Sequence, residues 1–203
     1  MSEQDEYELV DSETVFEGRI ITVHRDTVRM SDDSTSIREV VDHQGAVVIL
    51  ALDDEGRVVL VNQYRHPVRV RLDELPAGLL DVEGEPAVDA ARRELREETG
   101  LEADTWHVLL DLYSSPGFSN EASRVFLARG LRPVDREGFQ ATGEELTMTV
   151  EREPLAKAVH RALSGSITNA ASVAGLLAAV HGRATDWRDL RPADAPWPAR
   201  PQA

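Results

Sequence analysis

Residues 78–101 read GLLDVEGEPAVDAARRELREETGL, and this stretch decides the fold. A proline close to the start of a helix and a glycine just after its end are the usual start and stop signals. Pro86 and Gly100 occupy those two places, so the sequence predicts a helix from Pro86 to Thr99. The glutamates of this helix are the first candidates for a functional site.

One face of the predicted helix is apolar, and the edge of that face is acidic. At about 100° per residue, Val88, Ala91 and Leu95 form one stripe. Glu98 falls only about 20° from Ala91, and Glu94 lies on the same side one turn earlier. Like charges at such spacings repel by roughly 0.2–0.5 kcal/mol a pair. A carboxylate beside the core also needs a partner, since burying an unpaired charge is costly.

Two interpretations of this acidic helix are open. In the first, the helix is solvated, and Arg92, Arg93 and Arg96 neutralise its glutamates. In the second, the carboxylates hold Mg²⁺ or Mn²⁺, which prefer carboxylate, carbonyl and water oxygens and bridge to substrate phosphates. The position of Glu98 beside the apolar stripe favours the second interpretation.

The segments around the helix predict a mixed α/β domain, because strands lie on both sides of it in the sequence and two more helices follow. The apolar run Ala46–Leu52 is typical of a fully buried strand, and Val58–Val61 follows a turn, which indicates a hairpin. Asn169 is a plausible N-cap for the last helix. The other predicted strands are Ile20–Arg29, Arg38–Asp42, Trp106–Leu112, Ser123–Ala128 and Leu146–Val150. The later helices are predicted at Pro154–Leu163 and Asn169–His181.

Composition narrows the function classes. The chain has 203 residues, with 22 lysines and arginines against 37 aspartates and glutamates, for a formal charge of −15. This acidity argues against nucleic acid or an anionic membrane as a partner. With no cysteine there is no disulfide scaffold, which favours a reducing compartment such as the cytoplasm. No apolar run approaches the roughly 18 residues of a membrane span, and the acidic start does not resemble a signal peptide.

The helix segment resembles the Nudix box. That motif reads Gly, five residues, Glu, seven residues, Arg-Glu, an aliphatic residue, any residue, Glu-Glu, any residue, Gly, an aliphatic residue. From Glu85 to Leu101 the chain matches every fixed position, while six residues rather than five separate Gly78 from Glu85. The resemblance implies an α/β (α+β) Nudix fold, a mixed β-sheet sandwiched between helices, with an N-terminal antiparallel β-strand region.

Flanking segments resemble the ADP-ribose pyrophosphatase subfamily. QYRHP at 63–67 and ELPAG at 74–78 are similar to its lead-in to the box, and SPGFSNE at 115–121 is similar to its substrate loop. Pro116 lies 16 residues after Gly100, a spacing associated with ADP-ribose specificity. The segment ITNAAS at 167–172 resembles the start of the subfamily's final helix.

The resemblance implies a set of metal ligands. Glu94 and Glu98 are expected to be the main ligands of Mg²⁺, with Mn²⁺ as a possible substitute. Glu97 would support them, and the Ala77 carbonyl would supply a backbone oxygen. Glu85 either binds a metal through water or caps the dipole of the helix. Arg93 is expected to orient the glutamates through charge-assisted bonds; the alternative is an ordinary surface arginine.

The general base and the substrate contacts are also implied by the resemblance. The base is expected on the loop at 138–145, as Glu144 or Glu145, with solvated loop charge as the alternative. Arg65 would contact phosphate or ribose as a bidentate donor. Arg19 and Ile20 stand where relatives often stack adenine on an aromatic residue, which this chain lacks there. The remaining expected substrate contacts are Arg38, Glu39, Leu79, Ser115, Pro116, Gly117 and Glu121.

The function implied is metal-dependent hydrolysis of ADP-ribose to AMP and ribose 5-phosphate. A second hypothesis keeps the chemistry and changes the substrate to another nucleoside diphosphate sugar, NADH or a dinucleoside polyphosphate. A third, a non-catalytic nucleotide sensor, is disfavoured because the box glutamates are intact and no basic DNA-binding segment is present. The resemblance to this subfamily implies a homodimer. The predicted organisation is an N-terminal strand region at 1–45, the hydrolase domain at 46–182 and a Pro-rich, irregular or mobile tail at 183–203.

Overall fold

The computed structural model describes residues 7–135 and 143–200 of the chain. The helices in these ranges are α1 Ala87–Thr99, α2 Leu155–Leu163 and α3 Ala170–Ala184, with a short 3-10 helix at Gly143–Thr147. The strands are β1 Glu8–Glu17, β2 Ile21–Arg29, β3 Thr35–His43, β4 Ala46–Ala51, β5 Arg57–Arg65, β6 Val70–Glu74, β7 Ala77–Leu79, β8 Leu101–Tyr113, β9 Ala122–Pro133, β10 Thr149–Pro154 and β11 Arg191–Pro192.

A five-stranded mixed sheet forms the centre of the molecule, in the order β11-β8-β9-β4-β7. β4 and β9 are parallel, whereas the other neighbours are antiparallel. Side chains along β4 alternate between two cores, with Val47 and Ile49 on one face and Val48 and Leu50 on the other. α1 packs on the first face and α3 on the second. The predicted mixed sheet between helices is therefore confirmed, and the unbroken apolar run of β4 reflects burial on both faces.

The N-terminal strands form a separate antiparallel sheet in the order β1-β2-β3. Every residue of β1 is exposed, which is unusual for a strand with Leu9, Val15 and Phe16 among its side chains. A backbone bridge between Val41 of β3 and Ser119 ties this sheet to the loop that precedes β9.

A second small sheet, in the order β10-β5-β6, lies beside the central one. The turn predicted after β4 is confirmed, because the Gly56 N–H donates to the Asp53 carbonyl at 2.9 Å. The predicted hairpin is wrong, because β4 and β5 belong to different sheets and are joined by an isolated bridge between Leu52 and Val58. The predicted strand at Leu146–Val150 is wrong in its bounds, because Gly143–Thr147 is a 3-10 helix and the strand runs from Thr149 to Pro154. The strand pattern starts only where pairing with β5 begins.

Most helix ends follow the sequence signals, but α3 runs to Ala184 rather than ending before Gly182 as predicted. Gly182 lies inside the helix, where its lack of a side chain makes room for the Trp187 ring. Pro86, in extended conformation, is the N-cap residue of α1, and Gly100 closes the helix in the left-handed conformation at φ 66°. The Asn169 side chain caps α3 by accepting a hydrogen bond from the Ser172 N–H at 2.9 Å, as predicted. No helix among residues 7–135 and 143–200 is long and apolar enough to cross a membrane.

The C-terminal tail is irregular, as predicted, but it is held in place by specific contacts. β11 pairs with β8, and Ala193, Ala195 and Trp197 pack against the core that α1 covers. Apolar and charged side chains anchor the tail up to residue 200 despite its prolines, and its mobility stays a prediction. The domain boundaries proposed from the sequence stay a prediction.

Candidate active site

Arg93 lies at the centre of a group of carboxylates on and before α1. Its guanidinium donates to Glu94 at 2.6 Å, to Glu97 at 3.4 Å and to both oxygens of Glu85 at 3.2 and 3.3 Å. The Asp81 carboxylate lies 3.9 Å away. Hydrogen bonds to Glu85, together with the charge of Glu94, raise the pKa of Arg93 above its ordinary value. This arginine contacts three of the glutamates predicted to act together, as expected for an orienting residue.

Glu94 is the most perturbed carboxylate of this group. Burial raises its pKa from the ordinary 4.5 to about 7; Arg93 opposes the shift, while Glu97 and Asp81 add to it. A carboxyl group whose pKa lies near neutral pH is unfavourable in its anionic form, and a nearby cation stabilises that form. Strongly perturbed pKa values of this kind cluster at functional sites.

The backbone at Gly78 fits directly against Glu94. A Cβ atom placed on Gly78 would lie 2.0 Å from Glu94 Cδ and 2.2 Å from its Oε1. Only glycine allows the β7 backbone to approach the carboxylate this closely, although the φ of Gly78 is not in the left-handed region. The glycine of the Nudix-like motif is therefore explained here by space rather than by backbone conformation.

Glu98 faces the same backbone segment and is buried, with 8% of its surface exposed. Its Oε2 accepts a hydrogen bond from the Ala77 N–H at 3.0 Å. The predicted position of Glu98 at the edge of the apolar stripe is confirmed. Glu94 and Glu98 thus meet Gly78 and Ala77 respectively, which brings two carboxylates and the β7 backbone together.

The donor set fits a divalent metal ion in its chemistry. Carboxylate oxygens of α1 lie against the β7 backbone, and hard oxygen ligands are those that Mg²⁺ and Mn²⁺ prefer. Among residues 7–135 and 143–200, however, no group of three or more His, Asp or Glu side chains is already arranged around a single point. The guanidinium of Arg93 stands among the glutamates instead, so metal binding requires them to turn away from it.

Glu74 binds the guanidinium of Arg65, which is a predicted substrate contact. Both Nε and Nη2 of Arg65 donate to Glu74 Oε2, at 2.9 and 2.7 Å. Glu74 is 1% exposed, and its other oxygen accepts a hydrogen bond from Asn169 Nδ2 at 2.9 Å. That Glu74 contacts both Arg65 and Asn169 was not predicted from the sequence. The motif before the box, which contains Glu74, and the N-cap residue Asn169 were the two features that could have indicated it. Glu74 orients Arg65 and joins β6 to the start of α3.

The predicted substrate loop at 115–121 is fastened to the end of β3. The Phe118 carbonyl accepts from the Val41 N–H at 2.7 Å, and Asn120 Oδ1 accepts from the His43 N–H at 2.8 Å. Asn120 Nδ2 also donates to Asp42. Ser115 braces the turn, whereas Pro116 and Gly117 are exposed. The Glu121 backbone N–H donates to Ser119 Oγ at 3.1 Å.

The substrate contacts predicted in the N-terminal sheet lie apart from the glutamates of α1. Arg38 of β3 is exposed and bonds to Ser36 and to the Ile37 carbonyl of its own strand, and Glu39 is also exposed. In the described part of this single chain, neither contacts the carboxylates of α1. Leu79 belongs to β7, where it pairs with Ala46.

The predicted general base lies partly outside the described residues. The 3-10 helix Gly143–Thr147 includes Glu144 and Glu145, whose side chains fall outside the description, as do residues 136–142. The end of this helix is fixed by Arg71, which donates to the Thr147 carbonyl at 2.6 Å and to Asn62 Oδ1 at 2.6 Å. Arg71 was not singled out in the sequence, because nothing local connects it with Thr147.

A cavity of about 840 Å³ opens beside Glu85, one of the glutamates that Arg93 contacts. The loop 80–86, which includes Asp81 and Glu85, forms one wall. The β1–β2 turn and the end of β3 form a second wall, and tail residues Trp197, Pro198 and Arg200 form a third. A volume in this range suits a small-molecule ligand. The tail residues were missed from the sequence, because a Pro-rich terminus gives no sign of where it packs.

The fold and this site define a hydrolase of the Nudix class. The NUDIX domain family matches residues 42–166, more than half of the chain, and the nucleoside diphosphate sugar hydrolase N-terminal domain matches residues 7–41. The chain therefore belongs to the Nudix family, whose members generally use a divalent metal ion.

Relatives of known name resemble most or all of the chain. An ADP-ribose pyrophosphatase of Mycobacterium tuberculosis is 51% identical over 203 residues, which cover 100% of this chain and 96% of the relative. An ADP-ribose pyrophosphatase of Bacillus subtilis is 38% identical, covering 65% of this chain and 71% of the relative. A GDP-mannose pyrophosphatase of Yersinia enterocolitica is 32% identical, covering 79% and 88%.

A solved structure described as an ADP compounds hydrolase superposes on the chain with a TM-score of 0.75. It covers 90% of this chain and 97% of the other, at 23% identity. This likeness shows the fold and confirms the predicted Nudix architecture.

Proposed function

We propose that the protein hydrolyses the pyrophosphate bond of ADP-ribose, giving AMP and ribose 5-phosphate, with Mg²⁺ as its metal and Mn²⁺ as a possible substitute. The observation that carries the proposal is the group of Glu85, Glu94 and Glu97 around Arg93, with Glu98 beside it. The full-length similarity to an ADP-ribose pyrophosphatase supports the choice of substrate.

Glu94 and Glu98 are the proposed main metal ligands, with Glu97, Glu85 and the Ala77 carbonyl in supporting places. A divalent metal ion held by these residues would neutralise charge on the diphosphate and would lower the pKa of the attacking water. The buried position of Glu94 keeps its anion poorly solvated, so a divalent cation is a strong competitor for its proton. Arg93 keeps the glutamate side chains in place until a cation replaces it as their partner.

The oxygen of the attacking water bonds to one phosphorus, and its proton passes to Glu144 or Glu145. The bond from that phosphorus to the bridging oxygen breaks, and the bridging oxygen leaves with the other phosphate. A base must come within hydrogen-bond reach of the water. Arg71 supports this role indirectly, because it fixes the Thr147 end of the 3-10 helix against β5. One phosphoryl group leaves with the ribose and the other stays on the nucleoside.

The substrate is held by Arg65 and by the loop that contains Ser115, Pro116, Gly117 and Glu121. Glu74 uses one oxygen to hold two donors of Arg65, which leaves Nη1 for a phosphate or ribose oxygen. Arg38 and Glu39 contribute from the N-terminal sheet, and Leu79 from β7. Because Arg38 and Glu39 lie away from the α1 glutamates of their own chain, they fit a site shared with a second protomer.

We propose a homodimer formed through the β1-β2-β3 sheet, and the absence of cysteine supports the cytoplasm as its compartment. A three-stranded sheet normally needs a packed face to be stable. Here Leu9, Val15, Phe16 and Ile37 are each more than 40% exposed. Light scattering on the purified chain tests the dimer, and a monomer at micromolar concentration would contradict it.

The test of the activity is a substrate panel followed by ³¹P NMR, with Mg²⁺ and with EDTA. The expected result is the highest kcat/KM on ADP-ribose and no turnover in EDTA. The similarity to GDP-mannose pyrophosphatases favours one alternative, another nucleoside diphosphate sugar as substrate. A higher kcat/KM on GDP-mannose or NADH would select that alternative.

A further inference from the structure

The C-terminal tail reaches the cavity that Glu85 lines and adds a large aromatic ring to it. Trp197, Pro198 and Arg200 line the cavity, and Arg200 Nη2 donates to the Glu85 carbonyl at 3.3 Å. Glu85 in turn bonds to Arg93. The tail thus lies within two residue contacts of the centre of the site.

The tail is held there by a buried arginine. Arg124 of β9, whose side chain is 3% exposed, donates to the carbonyls of Ala195 at 2.7 Å and Pro196 at 2.9 Å. Its guanidinium also lies over the Trp197 ring, 4.8 Å from the centroid. Asp111 fixes Arg124 with two hydrogen bonds, at 2.7 and 3.1 Å. The position of Trp197 is therefore determined by the central sheet rather than by the flexibility of a terminus.

Trp197 has the properties of a base-binding surface. Arg124 covers one part of the half-buried indole, and another part lines the cavity. Among the described residues that line this cavity, it has the only ring larger than the His43 imidazole. Nucleobases stack on aromatic side chains, because every base has a π-face. The opposite wall offers Arg19 and Ile20, neither of which has an aromatic ring.

We propose that Trp197 is a specificity-determining residue that stacks the base of a nucleoside diphosphate substrate. The inference rests on the proposed function for the identity of that substrate. The cavity adjoins Glu85, so a base at the tail wall leaves the diphosphate on the side of the glutamates. The cavity lining has four carboxylates, Asp42, Asp81, Glu83 and Glu85, against the two arginines Arg19 and Arg200, so the base is recognised by stacking rather than by the net charge of the cavity.

The test compares a base-containing with a base-free product by calorimetric titration, using AMP and ribose 5-phosphate. For the Trp197→Leu variant, we expect AMP affinity to fall about 5- to 100-fold, the range of base stacking on an aromatic side chain. Ribose 5-phosphate affinity is expected to stay unchanged. The Trp197→Phe variant should recover most of the AMP affinity, because phenylalanine keeps a π-face.

Trp187 provides the matched control. It is also a tail tryptophan under an arginine, with Arg129 5.5 Å from its centroid, but it does not line the cavity. The Trp187→Leu variant is expected to bind both products like the wild type, and thermal melts show whether each variant is folded. Unchanged AMP affinity in folded Trp197→Leu, or an equal loss for ribose 5-phosphate, would overturn the proposal. These titrations need no turnover, so the stacking proposal can fail while ADP-ribose hydrolysis is observed. Equally, the proposed hydrolysis can fail while stacking of the base is observed.

Discussion

Two arginine–carboxylate clusters lie on the same side of the central sheet and have opposite charge ratios. The carboxylate-rich cluster has one arginine, Arg93, among Glu85, Glu94 and Glu97. The arginine-rich cluster has one carboxylate, Asp111, between Arg124 and Arg191. Both are partly buried, so the difference between them lies in their charge ratio.

The pKa shifts follow the charge ratio. Burial would raise the pKa of Asp111, but hydrogen bonds from Arg124 and Arg191 more than offset it and lower that pKa. Burial raises the pKa of Glu94 to about 7, because a single shared arginine cannot offset it. A cluster whose carboxylate is fully compensated stabilises the fold. A cluster with surplus carboxylates is instead suited to bind a cation.

The largest expected effect is on catalysis, from Glu98→Gln beside the carboxylate-rich cluster. Glutamine can still accept the hydrogen bond from the Ala77 N–H, so the fold should be preserved. Loss of a metal-binding charge is expected to lower kcat/KM roughly 1,000-fold, or about 4 kcal/mol of transition-state stabilisation. Steady-state kinetics and a thermal melt measure the two effects. A folded variant with most of its activity would show that Glu98 is not a metal ligand.

Asp111→Asn should show the reverse pattern, with lost stability and retained chemistry. It leaves the buried Arg124 without its counter-ion, for an expected loss of about 3 kcal/mol in the free energy of unfolding. This is the lower end of the usual range, because the Ala195 and Pro196 carbonyls still accept from Arg124. Urea unfolding measures the loss, and kcat should stay within a few-fold of the wild type. A large fall in kcat with unchanged stability would reverse the roles assigned to the two clusters.

The same variant has an expected pH dependence. A carboxyl group with a lowered folded-state pKa stabilises the fold above its unfolded pKa, near 3.8, and loses that contribution as the pH falls through the folded value. The difference in the free energy of unfolding between the wild type and Asp111→Asn should therefore be largest at neutral pH and should shrink under acid conditions. A difference that does not change with pH would assign the stability to packing alone.

Gly78→Ala tests the geometry of the carboxylate-rich cluster without removing a charge. The added methyl group would overlap Glu94 and displace its carboxylate. A misplacement of about 1 Å can cost up to about 100-fold in rate. We expect a loss of that size in kcat/KM, measured with saturating Mg²⁺. An active alanine variant would mean that Glu94 works from another position.

The smallest expected effect is a gain in stability from Glu94→Gln, measured in EDTA. The folded pKa of about 7 lies above the ordinary 4.5, so the wild type loses stability as the pH rises through that interval. Glutamine has no such penalty, and the variant should be more stable at about pH 8, by on the order of 2 kcal/mol. The gain should vanish below pH 4.5. Denaturant melts at both pH values check it, and a less stable variant at pH 8 would contradict the shift.

The sequence predicted those features that depend on neighbouring residues. The end of α1 at Thr99, its Gly100 cap, the Asn169 cap and the burial of Glu98 follow from local spacing, and all are confirmed. The start of α1 lies one residue after the predicted Pro86, which is its N-cap. The 3-10 helix at Gly143–Thr147 was missed, because the strand pattern of Leu146–Val150 is too short to locate its start.

The contacts between distant parts of the chain could not be predicted. Arg124 meets Asp111 across two strands and the carbonyl of Ala195 from the tail, 71 residues away. Arg71 meets Thr147 across 76 residues. Such pairs depend on the order of strands in the sheet and on the path of the tail, and neither has a signature in local hydrophobic periodicity.

The most direct test of the difference between the clusters is Mn²⁺ binding, followed by electron paramagnetic resonance. Mn²⁺ is a suitable probe because it prefers the same oxygen ligands as Mg²⁺. The account predicts that the wild type and Asp111→Asn bind Mn²⁺ alike, and that Glu98→Gln loses most of the binding. Equal binding by Glu98→Gln, or lost binding by a folded Asp111→Asn, would contradict it.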